Sequence, residues 1–247
     1  MTAVKINLVT SDLFKGAADL FKDLLDDALE IIKWFNNHTW ALGMLKDTMA
    51  TKIGKVLCLI LPVITHWTSH YLSVQQLIKV EHAFRQLLLD MEDNLVKCAG
   101  DKEEAQEKAM QIIAKLQLPF FHKLRHLSQH LAPLATATNL FQSDHMHLDI
   151  VLITIARLFH IFSEPDLDLS ACRAVLVSLE KRWAKQDQGI FILAVILNPY
   201  IRISAFERNS PFCQANEIQN LTAQVFWHFY RCEPDNEFMT SVIRYLH

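Results

Sequence analysis

LVSLEKRWAKQDQGIFILAVILNPY, residues Leu176 to Tyr200, is the stretch on which the fold reading turns. Its second half holds eight consecutive apolar residues, Ile190 to Leu197, closed by Asn198-Pro199. A run of that length suits a buried strand or a buried helix. Its neighbours carry helical periodicity, and proline disfavours α geometry in the residue before it, so Asn198-Pro199 reads as a helix stop. The first half is amphipathic and ends in Glu180-Lys181-Arg182-Trp183-Ala184-Lys185. The spacing therefore predicts two short helices joined across Gln186 to Gly189. The second lies in a core, and the first presents Lys181, Arg182 and Lys185 on its rim.

Composition agrees with a helical body. Hydrophobic residues make up 51% of the 247, enough to bury a sizeable core and too many for a disordered chain. Five glycines and seven prolines are sparse for a β-sandwich or an α/β enzyme with many tight turns. The formal charge of −3 gives no global basic field, so any nucleic-acid contact must rest on a local patch. The five cysteines are scattered, odd in number and lack a C-x-x-C pair, which suits reduced thiols in a reducing compartment. No apolar run approaches the ~18 residues that span a bilayer, and no signal peptide is visible. An intracellular, soluble chain without a membrane partner is expected.

Taken in order, Val4, Ile6 and Leu8 alternate, as in a short strand or a loose lead-in. Ser11-Asp12 offers a cap, and apolar residues then recur at helical spacing from Leu13 to Phe35. Thr39 caps a short helix through Lys46 or beyond. Gly54 to Val63, GKVLCLILPV, is the best strand candidate. Amphipathic helices follow over Tyr71 to Cys98 and Lys102 to Gln117, and from Pro119 with a kink at Pro133. Leu148 to Phe162 is apolar nearly all round and is expected to be central and fully surrounded. Leu152, Ile155, Phe159, Trp183, Phe191 and Val195 are the expected core. Helices over Asn216 to Cys232 and Pro234 to Leu246 close the chain.

Few residues are arranged for chemistry. His122, His126 and His130 share one helix face, where two could ligate a metal. The position between such ligands holds Leu124-Arg125 rather than a carboxylate base, and Lys123 and Arg125 repel a cation. A solvated histidine stripe is the reading, and no metal or other cofactor is expected. His145 and His147, and the pair His228 and Cys232, are weaker still. Asp23, Asp26, Asp27 and Glu30 read as the wet face of a helix. No G-x-S-x-G, P-loop or G-x-G-x-x-G occurs.

Four stretches, in this order and spacing, resemble the hAT-superfamily transposases, especially degenerate fungal copies. INLVTSDLFK (Ile6 to Lys15) is similar to the segment after the family's C-x-x-H motif. LPVITHWTSHYLSVQQLI (Leu61 to Ile78) resembles the T-R-W-x-S-x-Y signature at the entry to its helical insertion domain. LAPLATATNLFQSD (Leu131 to Asp144) resembles an L-x-P-x-x-x-A-T-x-x-x-Q segment. LEKRWAKQDQGIFILAVILNPYIR (Leu179 to Arg202) resembles the R-W-x-K-x-x-x-x-x-F-x-x-A-x-x-L-x-P-x-x-R block. The departures are Met1 and Val4 at the family's Cys and His, and His66 at the signature arginine, while Thr65, Trp67, Ser69 and Tyr71 persist.

The resemblance implies a mainly α chain: residues 1–65 as a remnant of a ribonuclease-H-like α/β core, and 66–247 as a helical insertion-domain bundle. It implies an acidic triad that binds two divalent metals, whose members fall before Met1 and beyond the last block. A catalytically inactive transposase remnant, not an enzyme, is therefore expected. It would be nuclear, with a residual role in assembly, as a homo-oligomer, or in binding transposon-end DNA. The residues implied for DNA are Thr65, His66 and Trp67, with Lys181, Arg182 and Lys185 as phosphate contacts. The alternative is an all-α protein-interaction scaffold with no nucleic-acid role. Trp67 exposed beside cations would favour the first; an uncovered apolar face would favour the second.

Overall fold

Helix breaks, rather than strand pairing, lay out this chain. The computed structural model describes residues 3–63, 67–164 and 166–246, and no strand occurs among them. The order is α1 (Ala3–Gly16), α2 (Ala18–Asn37), α3 (Thr39–Ile53), α4 (Trp67–Lys79), α5 (Glu81–Cys98), α6 (Glu103–Lys115) and α7 (Leu118–Phe141). It continues with α8 (Leu148–Ser163), α9 (Leu169–Trp183), α10 (Gln188–Leu197), two 3-10 turns, α11 (Ala215–Tyr230) and α12 (Asn236–Leu246). The fold class is mainly α.

Both strand expectations fail, for different reasons. The alternation at Val4, Ile6 and Leu8 lies inside α1, where Ile6, Val9 and Leu13 are fully buried at i, i+3 and i+7 and Leu8 is exposed. Helical period prevails over three alternating residues. Ser11-Asp12 accordingly falls within α1 rather than at a cap. Gly54 to Val63 has strand composition but no partner strand: α3 ends at Gly54, which takes a left-handed φ of 73°, and Val56 to Val63 follow without helix, turn, bend or ladder. The ribonuclease-H-like α/β part expected within residues 1–65 is thus unsupported.

The chain divides into two units. The first takes Ile6–Thr136 together with the start of α9, through Val175; the second is chiefly Ala137–Glu164 and the residues from Leu176 onward. In the first, rings run from helix to helix: Phe35 of α2 meets Phe84 of α5 edge-on at 5.1 Å, and Phe84 meets Phe121 of α7 at 6.2 Å. All three are fully buried. Glu81, at the start of α5, is buried and accepts from the guanidinium groups of both Arg85 and Arg125, tying α5 to α7. Burial of a carboxylate costs less when it is paired and hydrogen-bonded in this way. Gly16 closes α1 against α9, since a Cβ there would stand 2.6 Å from the Cβ of Ala174.

In the second unit α10 packs on α8 around Ile192, Ile196 and Ile218, with Phe206, Phe212 and Leu246 against them. Ile155, Phe191 and Val195 are buried as expected, but Leu152, Phe159 and Trp183 are only half-buried. α8 is not surrounded: Leu148, Ile153, Ala156, Arg157 and His160 give it a solvent face. α7 runs on through Pro133. The expected Tyr71–Cys98 helix is two, divided at Val80, and the second is interrupted at Met91 (φ −143°).

Truncating Phe84 to Ala is expected to cost about 3–5 kcal/mol in a denaturant titration, because the ring is fully enclosed. Phe159→Ala should cost clearly less, as the half-buried ring already meets water.

Candidate functional site

The residues implied for DNA contact divide by position. Thr65 and His66 lie outside the described residues. Trp67 opens α4 and is half-buried, and its indole N–H donates to Asn7 Oδ1 at 2.8 Å. Two positions on, Ser69 Oγ receives the Val63 N–H at 2.8 Å and donates to the Val63 carbonyl at 3.0 Å. This stretch is therefore used to dock the entry of α4 onto α1 and onto the segment before it. Trp67 and Asn7 belong to the first unit, and Lys181, Arg182 and Lys185 to the second.

At the end of α9, Lys181 and Lys185 are exposed and form no ion pair among the described residues. Arg182 differs. It is half-buried, and its guanidinium returns to its own helix, donating to the Ser178 carbonyl at 3.0 Å and to the Ser178 hydroxyl. Trp183 packs edge-on against Phe191, ring centres 5.6 Å apart, so it fastens α9 to α10. The remaining polar residues of the block are similarly occupied. Asn198 donates to Asp149 Oδ2 at 2.5 Å, linking the end of α10 to the start of α8, and Asn198 Oδ1 accepts from the Tyr200 N–H at 2.9 Å. Arg202 donates to the Tyr245 carbonyl and lies 5.0 Å from that ring, while the Tyr245 hydroxyl donates to the Leu197 carbonyl at 3.0 Å.

The histidine stripe is not uniformly solvated. His122 is exposed and His126 half-buried, but His130 is fully buried, 5.4 Å ring to ring from Phe21. Its Nδ1–H donates to the His126 carbonyl at 2.9 Å, and its Nε2 accepts from the Asp168 N–H at 3.1 Å. Both bonds together require the neutral imidazole. Asp168 in turn caps α9, its Oδ1 accepting from the N–H groups of Ser170 at 2.9 Å and Ala171 at 3.0 Å. Among the described residues, no group of three His, Cys, Asp or Glu is placed to hold a metal ion.

A cleft of about 610 Å³ opens between α2 and α7, with Asp19, Asp23 and Asp27 on one wall and His122, Lys123 and His126 on the other. Lys115 crosses it to Asp27 at 2.6 Å and Glu30 at 2.5 Å. The Lys115 hydrogen bond holds the Glu30 carboxyl below its usual range, and the Asp27 and Glu30 bonds raise the Lys115 ammonium. Of the cleft's charges, Asp27 and Lys115 are thus paired within it.

The exposed aromatic rings that sequence reasoning passed over sit at the end of α11, beside His228. Trp227, His228, Phe229 and Tyr230 are consecutive and all exposed. Phe226, behind them, meets Tyr230 at 4.5 Å and Phe238 of α12 at 5.0 Å. Arg231, in a left-handed conformation at the helix end, places its guanidinium 5.1 Å from the Trp227 ring. The signal was present: at about 100° per residue, four adjacent side chains span too wide an arc for one buried face. Comparisons with protein-family models, with curated proteins and with solved structures each find no match to this chain.

Burial holds the His130 imidazole below its ordinary range, with the Asp168 charge acting the other way. The folded state thus favours the neutral ring. That share of stability is full above the unfolded value of about 6.5 and is lost as pH falls from there through the folded value. His70, lowered by burial, acts in the same window. Chemical denaturation from pH 7.5 to pH 5 should show falling stability, and His130→Leu should be less stable at pH 7.5 with a shallower slope.

Proposed function

We propose that this chain is a non-catalytic, all-α binding module whose contact surface is the aromatic end of α11. One observation carries the reading: Trp227, Phe229 and Tyr230 stand 48%, 64% and 68% exposed, side by side at one helix end. Large aromatic side chains are the residues that most often dominate binding energy at interfaces, where they desolvate on contact. Glu233, Asp235 and Glu237 follow directly and are exposed, and only Arg231 answers them within that run. An acidic rim beside an aromatic surface suits a partner segment with an apolar face and basic flanks.

A second reading descends from the transposase resemblance: an inactive, nuclear remnant that retains a weak contact with transposon-end DNA. Exposed Lys181 and Lys185 at the end of α9 support it. The engagement of Trp67 with Asn7 and of Arg182 with Ser178 weighs against it, because both groups already have partners inside the protein. Base stacking by an exposed aromatic ring is worth about 1–3 kcal/mol, and a half-buried indole offers less of its face.

Fluorescence titrations separate the two. A peptide with leucines at helical spacing and lysine flanks should bind, and its acidic counterpart should not. The double variant Trp227→Ala/Tyr230→Ala should lose about 2 kcal/mol or more, roughly thirtyfold in affinity, with its helical circular dichroism unchanged. Equal affinity in the double variant would discard the aromatic surface. Salt-dependent binding of hairpin DNA that disappears in Lys181→Ala/Lys185→Ala would transfer the function to the DNA reading.

A further inference from the structure

The cleft between α2 and α7 holds charge of both signs, and only part of it is paired. Asp19, Asp23 and Asp27 recur one helical turn apart on the α2 wall. Lys115 takes Asp27. The side chains of Asp19 and Asp23 make no ion pair or hydrogen bond among the described residues, and neither does that of Lys123 on the α7 wall. Phe21, Leu24 and Phe120 line the same cleft and are buried, so its base is apolar. The volume of about 610 Å³ falls in the range of small-molecule sites.

Lys115 demonstrates what this side of α2 accepts. A primary ammonium on an apolar stem rests there between Asp27 at 2.6 Å and Glu30 at 2.5 Å. Asp23 and Asp19 lie one and two turns nearer the start of the helix and offer a second pair of neighbouring carboxylates without a lysine. A metal ion does not suit the place, since no three His, Cys, Asp or Glu among the described residues are grouped to hold one. A simple cation would answer the aspartates and leave Lys123 facing a like charge; a simple anion would do the reverse. A ligand that satisfies both walls carries both charges.

We propose that this cleft binds a small zwitterion, its ammonium on Asp19 and Asp23, its carboxylate on Lys123 and its apolar stem over Leu24 and Phe120. Hydrogen bonds between ionised groups are the strong ones, and two of them at opposite ends fix a ligand's direction as well as its place. The stem adds apolar contact with a base that is already shaped and buried. The chemistry required is an amine and a carboxylate held apart by hydrocarbon, which an ω-amino acid supplies directly and a short apolar peptide supplies through its free termini. His122 and His126 line the same wall as Lys123, so their rings report on whatever enters.

This site uses no residue of α11 or α12, so its failure and that of the aromatic surface are read separately. The test is NMR of the histidine ring protons in the full chain, with the two signals assigned through His122→Gln and His126→Gln. 6-Aminohexanoate should shift both signals saturably, whereas hexylamine and hexanoate, which keep the stem and one charge each, should bind about tenfold more weakly or worse. Asp19→Asn/Asp23→Asn should erase the advantage of 6-aminohexanoate over hexanoate, and Lys123→Gln its advantage over hexylamine. All three side chains are exposed, and circular dichroism checks that the variants keep their helices. Trileucine with free termini is the second arm: tighter binding than 6-aminohexanoate, lost on N-acetylation, assigns the peptide source, and weaker binding assigns the free amino acid. Equal binding of the three six-carbon compounds, variants that leave their ranking unchanged, or histidine signals that neither 6-aminohexanoate nor trileucine moves would overturn the site.

Discussion

One buried imidazole holds together the part of the first unit that is farthest apart in sequence. His130 of α7 can satisfy both of its ring nitrogens only as a neutral group lodged between the His126 carbonyl and the Asp168 N–H. Through Asp168 that position fixes the cap of α9, and through α9 it sets Ala174 against Gly16 at the end of α1. Polar contacts therefore place α7 and α9, and the close approach of Gly16 to Ala174 adds α1, while the aromatic rings of α2, α5 and α7 fill the space elsewhere in the unit. Apolar burial supplies the driving force but has no direction. The imidazole supplies direction, because a buried polar group left without partners costs more than a misplaced methyl.

Most of the helical body was legible because its signals are local. Spacing marked α2, α6, α8 and α10, and Asn198-Pro199 ended α10 where the backbone rule says it should. What escaped depends on contacts between residues far apart in the chain. The segment after Gly54 has strand composition, but a ladder needs a partner strand that composition cannot supply. His130 shares a helical face with His122 by spacing, yet the buried stripe of α7 is wide enough to take it in, and the Asp168 N–H that makes this tolerable lies 38 residues away. α8 looked surrounded because its sequence is apolar; an apolar residue on a surface is common, and Ile153 is one.

The residues behind the transposase resemblance have plain structural employment. Arg182 folds onto Ser178, Trp183 fastens α9 to α10, Asn198 joins α10 to α8, and Arg202 holds α12 through Tyr245. A block of polar and aromatic residues at fixed spacing is what such internal joints require, whatever else the surface does. The exposed aromatic end of α11 is different in kind. Phe229 and Tyr230 remain 64% and 68% exposed, although the Tyr230 ring meets Phe226 at 4.5 Å.

The close approach of Gly16 to Ala174 has a consequence for how this sequence can drift. The two positions lie on different helices and share a gap that admits no further carbon on the glycine side. The glycine cannot enlarge alone. In any lineage descended from this chain, a bulkier residue at position 16 would have to be preceded or accompanied by glycine at position 174, or by a shift of α1 along α9. The pair should thus behave as a single heritable unit, visible as covariation even where the surrounding surface has diverged beyond recognition.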